Sequence, residues 1–442
     1  MSVNLSFVEG LIEQILADAE EQPWPGGTAR DARLPWLPRK VDAVVGMRRV
    51  GKTWFLQQTL AQRVEEGAPR ASTVYVNLED ERLWQLEAQQ LGLFVDLFYR
   101  RHPELRGTTC TFVFDEIQTV PGWERFVRRL VDTEDVHVCV SGSSSKLLSR
   151  EIATSLRGRS IATELFPFSF REFLRHHGVH VPRGRQPGRQ QRSLIEQKVG
   201  HYLRSGGFPE VQGVDEPLRR RVLQDYLDVV LLRDVVERHG VANVVALRRL
   251  MRRLLSAPAG LFSVNRLHND FRSQGVQVGK DSLHAFVDYL HDAFLFFPVS
   301  IHTDSERVRQ SNPRKVYPID PGLVSAAAPQ GGWGTGQLLE TLAFLHLRRQ
   351  GHELAYYRHA DGTEVDFIVQ RPKGPEAIQV SADLTSANTR KRELRALEVA
   401  MEDLGIRRAT VVTLSANERV RLPTGTVSIV PFWMWALDLA LS

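Results

Sequence analysis

The chain's clearest chemical signal is Gly46-x-x-x-x-Gly51-Lys52-Thr53, within VVGMRRVGKTWFL. Glycines let such a loop bend until its backbone N–H groups face phosphate oxygens at a helix N-terminus. Lys52 would neutralise β/γ-phosphate charge and the Thr53 hydroxyl would ligate Mg2+. Arg48 and Arg49 stand inside the loop and are counted with the nucleotide-binding residues. About 60 residues on, CTFVFDE ends an apolar run in Asp115-Glu116. At a strand end beside a phosphate loop, Asp115 can hold Mg2+ and Glu116 can orient and activate the attacking water. The run VHVCV then ends at Ser141, placed to sense the γ-phosphate. In LRGRS, Arg157 and Arg159 are candidates to reach across a subunit boundary and stabilise transition-state charge. The expected cofactors are ATP and Mg2+.

These groups need a sheet to hold them in line. VDAVV, STVYVNL, CTFVFDE and VHVCVSG are short β-branched and aromatic runs separated by helical stretches. Such runs suit strands buried on both faces of a parallel α/β sheet. Upstream, residues 4–20 read as an amphipathic helix followed by a Pro/Trp/Gly-rich connector through Pro38. The spacing downstream is helical from 193 to 257, and Pro217–Ala257 holds nine Arg against four acids. Ser263 and Asp281 are expected N-caps of two helices about a tight turn, followed by a β-hairpin with a basic tip. A helix from about Gln337 to Arg349, two strands around Asp366, a helix from about Thr389 to Leu404 and a last strand ATVVTL complete the reading.

The chain has 442 residues, enough for two to four domains. Lys+Arg 57 against Asp+Glu 52 gives +5, which permits an acidic polymer as partner without requiring one. No run approaches the roughly 18–20 apolar residues of a membrane span, so no membrane partner is expected. The first helical stretch carries Glu9 and Glu13 without a basic start, unlike a signal peptide. Cys110 and Cys139, the two cysteines, both fall in apolar runs and read as buried thiols of a cytoplasmic protein. His176 and His177 fit no metal-ligand spacing.

GMRRVGKT, VYVNLED, FVFDEIQ, VSGSSSKLL, LRGRS and LFPFSFREF follow in order, with GGFPE and KVYPIDPGL further on. In this the chain resembles a group of bacterial and archaeal AAA+-type P-loop ATPases with a C-terminal restriction-nuclease-like domain of the PD-(D/E)xK type. The resemblance implies an α/β protein with a RecA-like parallel-sheet core, a helical lid, a winged helix and a nuclease-like tail. The corresponding boundaries are 1–37 for the N-terminal helix and connector, 38–175 for the ATPase core and 176–240 for the lid. The winged helix-turn-helix then covers 241–328 and the tail 329–442. A winged helix would set Lys280 near the start of a recognition helix and Arg314 and Lys315 on the wing. With Arg248, Arg249, Arg252 and Arg253 these are the DNA-phosphate candidates.

The tail's expected metal site is degenerate. Glu340 and Asp366 fit its first two acidic places, and Gln379-x-Ser381 stands where Glu-x-Lys belongs. A neutral amide and a hydroxyl replace a carboxylate and a cation, so cleavage is not expected. Three functional classes follow. They are an ATPase that translocates or remodels DNA as a ring or other oligomer, a nucleotide switch that gates a partner protein, and an ATP-coupled nuclease.

Overall fold

The computed structural model describes residues 5–143, 156, 158–327, 334–372 and 374–439. Arg157, and Lys373 in the turn before Gln379, lie outside the described residues. The chain divides into two compact units, Met1–Leu165 and Phe166–Ser442.

The first unit is built on five parallel strands: β1 Val41–Val45, β2 Thr73–Asn77, β3 Cys110–Asp115, β4 Val136–Gly142 and β5 Ser160–Glu164. Their order across the sheet is β2-β3-β4-β1-β5. Every residue of β1 and of β3 is buried, as continuous apolar runs require when helices cover both faces. Helix Trp123–Thr133 shows the matching helical period: Trp123, Phe126, Val127, Leu130 and Val131 are buried on one stripe. The N-terminal helix Leu5–Glu21 buries Val8, Ile12, Ile15 and Leu16 in the same way. β5 is a strand that the reading of apolar runs missed. SIATE is only half-buried, so it lacks the continuous apolar signature. It nonetheless closes one edge of the sheet, with Leu165 N donating to Val45 O at 2.7 Å.

The second unit begins with helix Phe170–His176, whose Ser169 and Glu172 form a reciprocal capping box. Helices Arg189–Ser205, Glu216–Val229 and Val244–Leu255 follow, with a π-helical stretch Val230–Glu237 between the last two. Three short strands, β6 Leu261–Phe262, β7 Phe296–Val299 and β8 Arg314–Pro318, form an antiparallel sheet in the order β6-β8-β7. Helices Val264–Ser273 and Lys280–Asp292 lie between β6 and β7 in the chain. Ser263 caps the first, accepting from Arg266 N at 3.5 Å. Asp281 does not cap the second: Gly279 is its N-cap and Asp281 sits in the first turn, where its charge suits the positive helix end.

Helix Thr335–Arg349 precedes a six-stranded mixed sheet, and helix Ala387–Asp403 lies within its run of strands. The strands are β9 Leu354–Arg358, β10 Glu364–Val369, β11 Glu376–Val380, β12 Arg408–Thr413, β13 Glu418–Leu422 and β14 Gly425–Pro431. Their order is β13-β14-β12-β11-β10-β9, with β11, β12 and β14 running parallel. ATVVTL is therefore not the last strand. The hairpin β13–β14 follows it, and β13 escaped notice because ERVRL is largely exposed.

Candidate nucleotide site

The phosphate loop is shaped by two close constraints. A Cβ on Gly46 would stand 2.2 Å from the Leu165 carbonyl oxygen, so only glycine fits where the loop leaves β1 beneath β5. Gly51 has φ 92°, the left-handed region, and helix Lys52–Glu65 starts at the next residue. Arg30, from the connector, donates to Val50 O at 2.9 Å and is buried with it. The sequence reading named no role for Arg30, because its contact spans twenty residues that take in the connector and all of β1.

Lys52 is buried at the floor of this loop. Its Nζ lies 3.2 Å from Gly46 O, 3.4 Å from Met47 O and 3.4 Å from Glu116 Oε1. These oxygens occupy the ammonium as phosphate oxygens would. Thr53 Oγ1 donates to Asp115 Oδ2 at 2.7 Å, and the Tyr75 hydroxyl donates to the same oxygen at 2.7 Å. Ser141 Oγ donates to Asp115 Oδ1 and accepts from Glu116 N at 3.0 Å. A chain of hydroxyls and carboxylate thus joins the loop after β1 to the ends of β3 and β4.

Glu116 has φ 53°, an uncommon left-handed conformation for a non-glycine residue, and it turns the side chain off the strand end toward Lys52. Burial pushes its carboxyl upward, but the Lys52 ammonium, the Gln118 amide and Arg48 outweigh that. Its net shift is downward, so the group is an anion at neutral pH. In the loop, Arg48 pairs with Glu79 at 3.3 Å, while Arg49 takes φ 68°.

The residues fit a nucleotide with Mg2+. A hard cation takes oxygen ligands, and here a hydroxyl and a carboxylate oxygen already stand 2.7 Å apart beside a buried lysine. Thr53 and Asp115 would hold the ion and Lys52 the phosphates. Arg159, 2.7 Å from Asp132, is ion-paired within its own chain.

The structure redistributes the basic candidates. Arg249, Arg252, Arg253 and Lys280 are exposed, and Arg314 is half-buried. Arg248 is engaged by Asp228. Lys315 has to be withdrawn from the DNA-facing set: its side chain is 4% exposed and held by Glu340, Glu364 and Asp366. In the tail, Glu340 and Asp366 do come together, as their places in the degenerate motif required. Gln379 uses both ends of its amide, accepting from Asp366 N at 3.1 Å and donating to Glu393 Oε2 at 2.7 Å. One long-range link was missed altogether. Asp320 of KVYPIDPGL accepts from Gly207 N of GGFPE and from Gly322 N, each at 2.7 Å, which joins two of the quoted motifs.

Residues 38–174 match a family described as AAA domain. Residues 196–333 and 335–435 match two families described as domains of unknown function, DUF8612 and DUF4143. The protein named "Uncharacterized protein MJ1544" from Methanocaldococcus jannaschii is 32% identical over 418 residues, which cover 92% of this chain and 90% of that protein. A protein of Haemophilus influenzae, also named as uncharacterized, is 28% identical over 345 residues, covering 78% and 83%. Among solved structures, the Aeropyrum pernix ORC1 protein in complex with DNA shares 14% identity over 74% of this chain and 92% of its own. Its TM-score of 0.27 is too low to support an argument. Among the described residues, no helix is long and apolar enough to cross a membrane.

Proposed function

The chain belongs to the family of Methanocaldococcus jannaschii protein MJ1544 and carries an AAA domain, and from that premise we propose that it is a Mg2+-dependent ATPase of the AAA+ type. The observation that supports this best is the convergence of Lys52, Thr53, Asp115, Glu116 and Ser141 at the ends of three neighbouring strands. Lys52 binds the β- and γ-phosphates. Thr53 and Asp115 position the metal. Mg2+, when bound, would neutralise negative charge that develops on the phosphate. Glu116, kept anionic beside Lys52, accepts a proton from the attacking water. Ser141 holds both acids in register through one hydroxyl. Arg159 is our candidate for the residue donated to a neighbouring subunit's site in a homo-oligomer. To do so it must exchange Asp132 for a phosphate.

The work coupled to hydrolysis is, in our reading, translocation on or remodelling of DNA. The exposed arginines Arg249, Arg252 and Arg253 on helix Val244–Leu255 favour this, with Lys280 at the start of the helix after the tight turn. They would contact phosphates and not base edges. Phosphate release measured with single-stranded, duplex and branched DNA and without DNA, with Lys52→Ala as the inactive control, tests both steps. Hydrolysis retained by Lys52→Ala rejects the site. A rate indifferent to every DNA rejects the DNA-coupled reading and favours a nucleotide switch acting on a partner protein.

A further inference from the structure

Lys315 sits on β8, the middle strand of the three-stranded sheet, with Leu261 and Val299 as its partners on either side. Its backbone is therefore fixed by two neighbours, and its side chain runs to carboxylates that come later in the chain. Nζ lies 2.9 Å from Glu340 Oε1, 2.8 Å from Glu364 Oε1 and 2.6 Å from Asp366 Oδ1. An ammonium has three N–H donors, and three acceptors saturate them. Two of the carboxylates accept a further bond each. Tyr317 donates to Glu340 Oε1 at 2.8 Å, and Val380 N donates to Asp366 Oδ2 at 2.9 Å.

We propose that Lys315 is the resident cation of this cluster, its ammonium filling the point that Glu340, Glu364 and Asp366 would otherwise present to a divalent metal, so that the cluster joins β8 to the six-stranded sheet instead of cutting nucleic acid. Three further observations support it. Burial pulls the Lys315 pKa down, yet Asp366, Glu340 and Glu364 outweigh it and the net shift is upward, so the group is held charged. Gln379, which occupies a position where a third ligand could stand, has both ends of its amide engaged, by Asp366 N and by Glu393. The lysine lies in the 196–333 match and the carboxylates in the 335–435 match, so the ion pair ties two separately matched segments together. A divalent ion entering this space would meet an ammonium already held by three carboxylates.

The test uses full-length, nucleotide-free protein carrying Asp115→Asn, which removes the carboxylate of the other cation site. Mn2+ is titrated by calorimetry and thermal unfolding is followed, with and without Lys315→Met. With Lys315 in place, no saturable Mn2+ heat is expected. Lys315→Met should lower Tm by about 5 °C or more and gain one Mn2+ site that restores part of that loss. Adding Asp366→Asn should then abolish the gained site. If Lys315→Met is too unstable to purify, the uncharged set Lys315→Met/Glu340→Gln/Glu364→Gln/Asp366→Asn replaces it and should unfold closer to the parent, because no charge of the cluster is left unpaired. The proposal is overturned by a Mn2+ site in protein that retains Lys315 and loses the site with Asp366→Asn. It is also overturned by an unchanged Tm in Lys315→Met, or by an uncharged set that is no more stable than the single variant. Mg2+- or Mn2+-dependent DNA cleavage that requires Lys315 would make the lysine a catalytic group and reject the proposal.

Discussion

Removing Lys52 should do more than weaken nucleotide binding: it should destabilise the nucleotide-free protein in a pH-dependent way. Lys52 Nζ and Glu116 Oε1 are 3.4 Å apart, and at an effective dielectric of 20 that corresponds to about 5 kcal/mol of gross attraction. Desolvation of the two charges offsets most of it, so the net value of the pair is small. Deleting only the lysine, however, leaves the Glu116 carboxylate buried without its main cation, which costs about 3 kcal/mol. The carboxyl can escape by taking up a proton. In the parent, Glu116 has a lowered pKa, so its contribution is present above the unfolded value and is lost as pH falls through the folded one. In Lys52→Ala the largest opposing charge is gone and only the Gln118 amide and Arg48 still counter burial, so the carboxyl should titrate higher than in the parent and the deficit should be large at pH 8 and shrink toward pH 5. Urea midpoints of parent and variant across that range measure it. The pair Lys52→Met/Glu116→Gln should recover most of the stability at pH 8 while still failing to bind nucleotide. A deficit that does not change with pH, or nucleotide affinity that survives Lys52→Ala, refutes the reasoning.

Glu116→Gln should bind ATP about as well as the parent but lower kcat by roughly 10²–10⁴-fold, since an amide cannot act as base; a comparable rate in a steady-state phosphate assay rules Glu116 out. Gly46→Ala places a methyl group 2.2 Å from Leu165 O and should cost about 2 kcal/mol or more together with ATP affinity, seen in urea midpoints and nucleotide titration. Reversing Arg252 and Arg253 to Glu should weaken DNA binding alike for all sequences and reduce the log–log salt slope by about 2 or more; sequence-dependent loss would contradict phosphate contact. Burial raises the Asp320 carboxyl from 3.8 to about 7 against the pull of its two N–H donors. A raised acid destabilises the fold once ionised, so stability should decline as pH rises from about 4 to 7, and Asp320→Asn should flatten that decline in pH-dependent denaturation.

The nucleotide site was legible in sequence because its chemistry depends on local spacing. Gly46 through Thr53 lie in one loop, and an apolar run that ends in two acids marks a buried strand end without further information. Strand β5 and the β13–β14 hairpin were not legible, because half-buried strands such as SIATE and ERVRL carry no apolar period. The tail's acids Glu340 and Asp366 were singled out in sequence and share one lysine in the structure, but that lysine was not foreseen as their partner. Lys315 meets Asp366 across 51 residues, and nothing local distinguishes it from the neighbouring Arg314, which stays half-exposed. The same applies to Asp320 and Gly207, 113 residues apart, which looked like two unrelated motifs.

In the sheet order β2-β3-β4-β1-β5, the strand carrying the phosphate loop and the strand carrying the acids are not neighbours. β4 lies between them, so the backbones of β1 and β3 stand two inter-strand spacings apart, roughly 10 Å, and the side chains of Lys52, Thr53, Asp115 and Glu116 close that gap. β4 is thus a spacer whose thickness sets the gauge of the site. Only its Ser141 touches the acids, while the buried Val138, Cys139 and Val140 hold the strand at its depth in the core. The backbone ladder fixes that spacing, so Val138, Cys139 and Val140 serve the site only by keeping β4 seated between β1 and β3, and none of them would contact nucleotide.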